Sequence, residues 1–165
     1  GTPWLLPVSA AVGAPQQAMF SAVQVLNDKW SLLGNIGWQD WGSFSEMEVT
    51  AGGMVLTSKL DLQDTWHGAA GIQYQMAPAT RLNFGIAYDT SMYEDQNATS
   101  LTMPSGATWR FGTGVQHQLS EQASCGVAFE YALSEDAQVA TPAPLAGSYN
   151  NPRMYFVSLN YSYRF

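Results

Sequence analysis

Hydrophobic and polar side chains alternate one by one through about seven stretches of this chain, the period of a β-strand whose two faces differ. The last stretch is the plainest: Tyr155, Val157, Leu159, Tyr161, Tyr163 and Phe165 alternate with Phe156, Ser158, Asn160, Ser162 and Arg164. Trp30, Leu32, Gly34, Ile36 and Trp38 mark another, with Ser31, Asn35 and Gln39 among the residues between them. Trp66 to Met76, Leu82 to Tyr88, Trp109 to Leu119 and Cys125 to Leu133 repeat the pattern, and a weaker version covers about Gln17 to Val25. Alternation, aromatic side chains and interior glycines all disfavour helix, so the chain reads as all-β. From Trp30 onward the apolar faces carry no Asp, Glu, Lys or Arg. Arg81, Asp89, Arg110, Glu130 and Arg164 all fall on the opposite face.

The connections sharpen this reading. Short ones at Leu26 to Lys29, Ala77 to Thr80 and Ser120 to Gln122 alternate with long ones at Trp41 to Asp61, Ser91 to Thr108 and Ser134 to Asn151. All tight turns then lie at one end of the strands and all long loops at the other. That is the layout of an antiparallel up-and-down transmembrane β-barrel, with tight periplasmic turns and long extracellular loops. Residues 1–165 read as a single barrel portion, with 1–16 as a lead-in and 17–165 as about seven antiparallel strands. The closing strand, tilted near 45°, would span roughly 23 Å of membrane. Trp38, Trp66, Tyr88, Trp109 and Tyr131 fall towards the long loops as an upper aromatic girdle, and Trp30, Tyr74, Tyr163 and Phe165 would form the lower one.

Composition changes the picture in three places. Charged residues make up 12% and aromatics 13%, while the net charge is −7, with Lys and Arg numbering six. So sparse a set of cations makes no basic patch, and nucleic acid is excluded as a partner. Cys125 is the sole cysteine, which rules out an intrachain disulfide and a thiolate metal cluster. No apolar run approaches the roughly 18 residues of a membrane helix, yet a membrane barrel hides its hydrophobicity in alternate positions. No signal peptide opens the chain, and Gly1-Thr2-Pro3 reads as a cut end. A soluble sandwich or lipocalin-like binder is the rival architecture. Its weakness is the second face, rich in Gly, Ala, Ser, Asn and Gln, where a solvent-facing surface would carry more charge.

The stretches "LNDKWSLLGNIGWQDWGSF" and "LQDTWHGAAGIQYQMAPATRLNFGIAYDTS", a loop ending near Pro104 before "WRFGTGVQHQLSE", and the aromatic ending "LNYSYRF" together resemble the long-chain fatty-acid outer-membrane transporters of the FadL/TodX type. The resemblance runs from about Gln17 to the end. It implies about seven strands of a fourteen-stranded barrel in the bacterial outer membrane, the C-terminal half alone. It also implies passive transport of hydrophobic molecules, long-chain fatty acids or aromatic hydrocarbons, through the lumen. Further expected partners are outer-membrane lipid and the barrel-assembly machinery, the latter through terminal Phe165. An odd set of strands leaves its first and last members parallel, so this piece is expected to leave open edges or to associate with a second copy.

The candidate chemistry is sparse. His67 lies near Asp64 and serines are plentiful, but nothing places a nucleophile beside the imidazole, so no enzyme is expected. His67 and His117 lack acidic partners at ligand spacing; no metal and no cofactor are expected. Cys125 reads as a small hydrophobe, and Asn97-Ala98-Thr99 as a chance sequon. Ligand-contact candidates are Lys59, Arg110 and His67. Lys59 lies close to where the resembled family sets a basic residue near the fatty-acid carboxylate, although a solvated loop lysine reads as well. Arg110 is inward-facing and expected to meet a carboxylate such as Glu130. His67 is a polar lumen residue near the rim. The alternative in another class is a structural or adhesive barrel that acts through its outer loops.

Overall fold

The computed structural model describes residues 8–10, 15–44, 46–51, 54–59, 61–97, 99, 105–139 and 146–165; along 8–10, 44, 46–51 and 54–59 the description is of the backbone alone. The strands are β1 (Val8–Ala10), β2 (Gln17–Val25), β3 (Trp30–Gln39), β4 (Glu46–Ala51), β5 (Met54–Lys59), β6 (Thr65–Ala77), β7 (Thr80–Asp89), β8 (Thr108–Gln118), β9 (Ala123–Ser134), β10 (Ala137–Val139), β11 (Gly147–Tyr149) and β12 (Arg153–Tyr163). A seven-stranded sheet in the order β12-β9-β8-β7-β6-β3-β2 carries the architecture. Every neighbouring pair in it is antiparallel. It is an open, curved portion of an up-and-down barrel, as the alternation requires.

Register turns the alternation into two faces. Trp38 lies opposite Trp66, Ile72 opposite Phe84, Phe111 opposite Tyr131, and Tyr131 opposite Tyr155. This is the convex side. Trp66 is 53% exposed, Phe84 49%, Phe111 43% and Leu159 79%. The aromatic side chains touch across strands: Tyr88 and Trp109 lie 4.7 Å apart, Phe111 and Tyr131 6.5 Å, Tyr131 and Tyr155 5.2 Å. At the other end Trp30 meets Tyr74 at 4.4 Å and Tyr163 meets Phe165 at 5.2 Å. Both expected girdles are therefore present. No large side chain among the described residues is fully buried. A soluble sandwich would jam these aromatics into a dry core; here they face outward and stay exposed.

The short turns are held by their own polar side chains. Asn27 Oδ1 accepts from the backbone N–H of Lys29 and Trp30 at 2.9 and 3.0 Å. Gln75 Nε2 donates to the Ala77 carbonyl at 2.8 Å. Ser120 Oγ accepts from the Ala123 N–H at 3.1 Å. These local bonds offer the backbone a turn in place of further strand.

The structure corrects the expectations at the long-loop end. The connection after β3 contains the β4–β5 hairpin, which joins β1 in a three-stranded sheet, and the connection after β9 contains the β10–β11 pair. The lead-in thus holds a strand, and the closing strand stops at Tyr163. Here too lies most of the true burial: Tyr93, Ala107, Ala137 and Val139 are buried, with Ser91 and Thr99 beside them. Backbone bonds stitch the loops together, Gln63 N to Met92 O at 2.8 Å, Thr99 N to Gln138 O at 2.9 Å and Glu135 N to Ala107 O at 2.8 Å. The loops form a packed cap.

Two substitutions test these assignments. Phe111→Arg, on the convex belt, should lower folding stability in lipid vesicles by about 2–4 kcal/mol, whereas Gln116→Arg on the concave face should cost under about 1 kcal/mol, measured by denaturant titration. In the cap, a Cβ on Gly106 would lie 2.8 Å from the Glu135 carbonyl. Gly106→Ala should therefore loosen the loops, read as faster amide exchange at Glu135 and Gln138 with the sheet unaffected.

Candidate functional site

The concave face is built from the other half of each alternation. Gly71 on β6, Gly85 on β7 and Gly112 on β8 stand opposite one another, so three adjacent strands present bare backbone at one level. An added Cβ at Gly85 would meet nothing nearer than 3.6 Å, and at Gly112 nothing nearer than 4.0 Å. At these two positions the described neighbours do not demand glycine, whereas at Gly71 a Cβ would lie 3.1 Å from the Phe84 carbonyl oxygen; the missing side chains leave room in the lumen. Leu33 closes this row on one side, and Glu130 and Phe156 on the other. Gln73, Asn83, Gln116, Ser158 and Asn160 surround a trough of ≈ 660 Å³ at and below this level.

Above it, register brings three charged or titratable side chains together. His67 on β6 stands opposite Asp89 on β7. Arg110 on β8 stands opposite Ala87, one inward step from Asp89. The His67 Nδ1–H donates to Asp89 Oδ1 at 2.6 Å. Arg110 Nε donates to Asp89 Oδ2 at 2.8 Å, and its Nη2 lies 2.6 Å from the same oxygen. One carboxylate thus holds an imidazole by one oxygen and a guanidinium by the other, charge-assisted contacts on a half-exposed wall. Each strand contributes one member because all three belong to the inward half of a period-2 pattern.

This arrangement fixes the fate of the candidates. His67 and Arg110 are adjacent, linked by Asp89. Arg110 was expected to meet a carboxylate such as Glu130; the structure gives it Asp89, which also receives His67, although Glu130, opposite Gly112, lies an equal inward step away. Lys59 ends β5 opposite Glu46 in the loop hairpin, away from the seven-stranded sheet, and its side chain lies outside the described residues, as does Pro104. Asp89 is the member that sequence reasoning passed over as a candidate. Its signal was present: an inward acid at the same end of its strand as His67. A cavity of ≈ 630 Å³ adjoins the cluster, lined also by Met19, Gln39, Trp41 and Met92. His117 sits on the convex face, its Nδ1 2.9 Å from Thr80 Oγ1, beside a short turn. Among the described residues no group of His, Cys, Asp and Glu could hold a metal ion.

Comparison with known proteins completes the assignment. A family described as "Outer membrane protein transport protein (OMPP1/FadL/TodX)" matches residues 6–165. The chain belongs to this family. It is accordingly a protein of the bacterial outer membrane. It is 22% identical over 160 residues to a "47 kDa outer membrane protein" of Pasteurella multocida (strain Pm70), covering 96% of this chain and 37% of that protein. Its fold matches the crystal structure of a Pseudomonas aeruginosa FadL homologue with a TM-score of 0.77 at 23% identity, over 94% of this chain and 37% of that one. A structure of the CymD monoaromatic hydrocarbon channel matches with a TM-score of 0.64 at 15% identity, over 96% and 38%. The chain thus spans little more than a third of these relatives, and the likeness in structure is one of fold: part of the wall of a FadL-type barrel.

Removing the central acid should disturb the cluster more than removing either partner. Asp89→Ala is expected to cost about 1–2 kcal/mol of folding stability, since it strands Arg110 in the wall. His67→Ala should cost less than half of that. Denaturant titrations of the folded protein in lipid check both, and equal effects would show that the carboxylate does not organise the site.

Proposed function

We propose that the complete protein bearing this chain admits hydrophobic small molecules passively through its lumen, with long-chain fatty acids and aromatic hydrocarbons as the ligand classes. What carries the reading is the division of faces: an aromatic belt turned to lipid, and a concave trough of glycine, alanine and amide side chains. Small side chains and weakly held amides give an apolar molecule contacts that it can make and leave, which passive conduction needs. CymD, whose structure shares this fold, is a monoaromatic hydrocarbon channel. His67 and Arg110 would meet a polar head group near the upper rim, and Lys59 would do so from the loop hairpin. The chemistry of the face is that of a passage.

The open edges define the partners of the fold. β2 and β12 run in the same direction, since an even number of antiparallel steps separates them. Two copies joined edge to edge in one barrel would meet in parallel seams. A further odd set of strands closes the barrel with antiparallel seams throughout, and we take that as the closure. Outer-membrane lipid covers the convex belt, and terminal Phe165, two residues beyond the last strand, would engage the barrel-assembly machinery. The packed loop cap supports a second reading, an adhesive or structural surface acting through those loops.

Uptake assays separate the two. Cells lacking their own transporters should take up labelled oleate or p-xylene faster when they make the full-length protein, and an uncoupler should not abolish the gain at the outer membrane. Unchanged uptake, with loss of surface binding on cap deletion, would favour adhesion. In detergent, the full-length protein should run at the mass of one chain; a dimeric mass would favour closure by a second copy.

A further inference from the structure

With a neutral imidazole the His67–Asp89–Arg110 cluster is balanced in charge, and its bonding fixes where the ring hydrogen sits. A carboxylate only accepts, so the 2.6 Å contact with Asp89 Oδ1 puts that hydrogen on Nδ1 and leaves a lone pair on Nε2. Arg110 gives Asp89 its Nε and Nη2. Among the described residues neither Arg110 Nη1 nor His67 Nε2 has a protein partner. Both side chains are reachable: His67 is 24% exposed, Arg110 39%, and both line the ≈ 630 Å³ cavity. No other charged or titratable described side chain lines it beyond these two and Asp89. β3 sets Gly37 opposite His67 and β2 sets Met19 beyond it. Asp64, just before β6, is turned to Trp38 Nε1 and the Gly42 N–H. Glu130 on β9 shares with Arg110 a smaller cavity of ≈ 410 Å³, which Ala69, Ala87 and Leu33 line together with the glycine row.

We infer that this cluster takes up the carboxylate of an amphipathic acid together with one proton, held on His67 Nε2. His67 and Arg110 are the binding groups, and Asp89 is a positioning residue. A carboxylate arriving alone would set its lone pairs against that of Nε2. It would also bring a negative charge beside Asp89 that Arg110 alone does not offset. One proton drawn from solvent reverses both effects. Nε2–H becomes a donor to the ligand, and two carboxylates then face one guanidinium and one imidazolium, with no net charge. Asp89 readies the ring for this, since its Oδ1 orients the imidazole and sustains the imidazolium. The hydrocarbon chain has room below, past Ala69 and Ala87 towards Leu33, where the inward side chains are small.

This inference rests on the passage reading, and its test keeps the two apart. The full-length protein in lipid nanodiscs is titrated with decanoate, with decane-1-sulfonate, whose head stays ionised throughout, and with decan-1-ol. Binding is read as quenching of tryptophan fluorescence, since Trp38, Trp41 and Trp66 line the cavity. Between about pH 6 and 8, where imidazoles change charge, the apparent Kd of both anions should rise by roughly three- to tenfold per pH unit. Tenfold is the limit of one proton per anion, and the Kd of decanol should stay flat. His67→Gln keeps a donor but cannot change charge, so its anion profiles should vary by under about twofold per unit. Asp89→Asn should flatten them as well, because Arg110 alone then balances the ligand. Heat-modifiable gel mobility verifies that each variant is folded. A flat wild-type profile overturns the inference. So does a slope that persists in folded His67→Gln, which would put the proton on another group such as Glu130, or a slope that decanoate shows and the sulfonate does not. Binding of decanol with neither anion bound overturns it too and leaves the passage reading standing; if none of the three binds, the passage reading itself falls.

Discussion

Everything in this structure follows from the backbone's need for partners in a medium that offers none. An amide or carbonyl left unpaired in hydrocarbon costs several kcal/mol, so strands can cross only as a continuous antiparallel ladder. The ladder fixes the register, and register fixes which side chains are neighbours. The ladder even runs on into the turns, where Gln75 N–H donates to the Lys29 carbonyl at 2.8 Å and Gln118 N–H to the Ala79 carbonyl at 2.8 Å. With the backbone satisfied within the sheet, the side chains need not form a core. Most of the true burial lies instead in the loop cap, outside the sheet, which is the reverse of a soluble domain.

The same register produces the concave chemistry. His67, Asp89 and Arg110 are far apart in sequence, yet each is an inward residue near the same rim on three successive strands. Asp89 neutralises Arg110, the one described cation of the upper lumen.

Alternation made most of the sheet legible in advance. β2 spans Gln17–Val25 and β3 spans Trp30–Gln39, where the sequence places them, because period 2 leaves little freedom once one face is wholly apolar. The strands of the long connections were missed, although one had a readable signal. Val49, Thr50 and Ala51 are separated from Met54, Val55 and Leu56 by Gly52-Gly53, a dipeptide that favours a tight hairpin. The cap was less accessible. Its contacts, such as Thr99 Oγ1 to the Gln138 carbonyl at 2.9 Å, join residues far apart in sequence and without periodicity. The partner of Arg110 illustrates the limit for sites. Asp89 and Glu130 are both inward acids on strands adjacent to β8, and only the additional pull of His67 on β6 distinguishes them.

Strand direction then constrains the whole barrel. In an up-and-down sheet each strand reverses its predecessor, so the first and last of seven point the same way. Lipid cannot satisfy the exposed edges of β2 and β12, which must be paired. Antiparallel closure requires a strand of opposite direction against each edge, and a run of strands that begins and ends in that direction is odd in number. Length alone would let a second copy serve equally well. Direction distinguishes it: a second copy would meet this one in parallel seams, since rotation about the membrane normal leaves every strand pointing as it did. The hydrogen-bond geometry of the two edges thereby asks for a strand of opposite direction against each side of this wall.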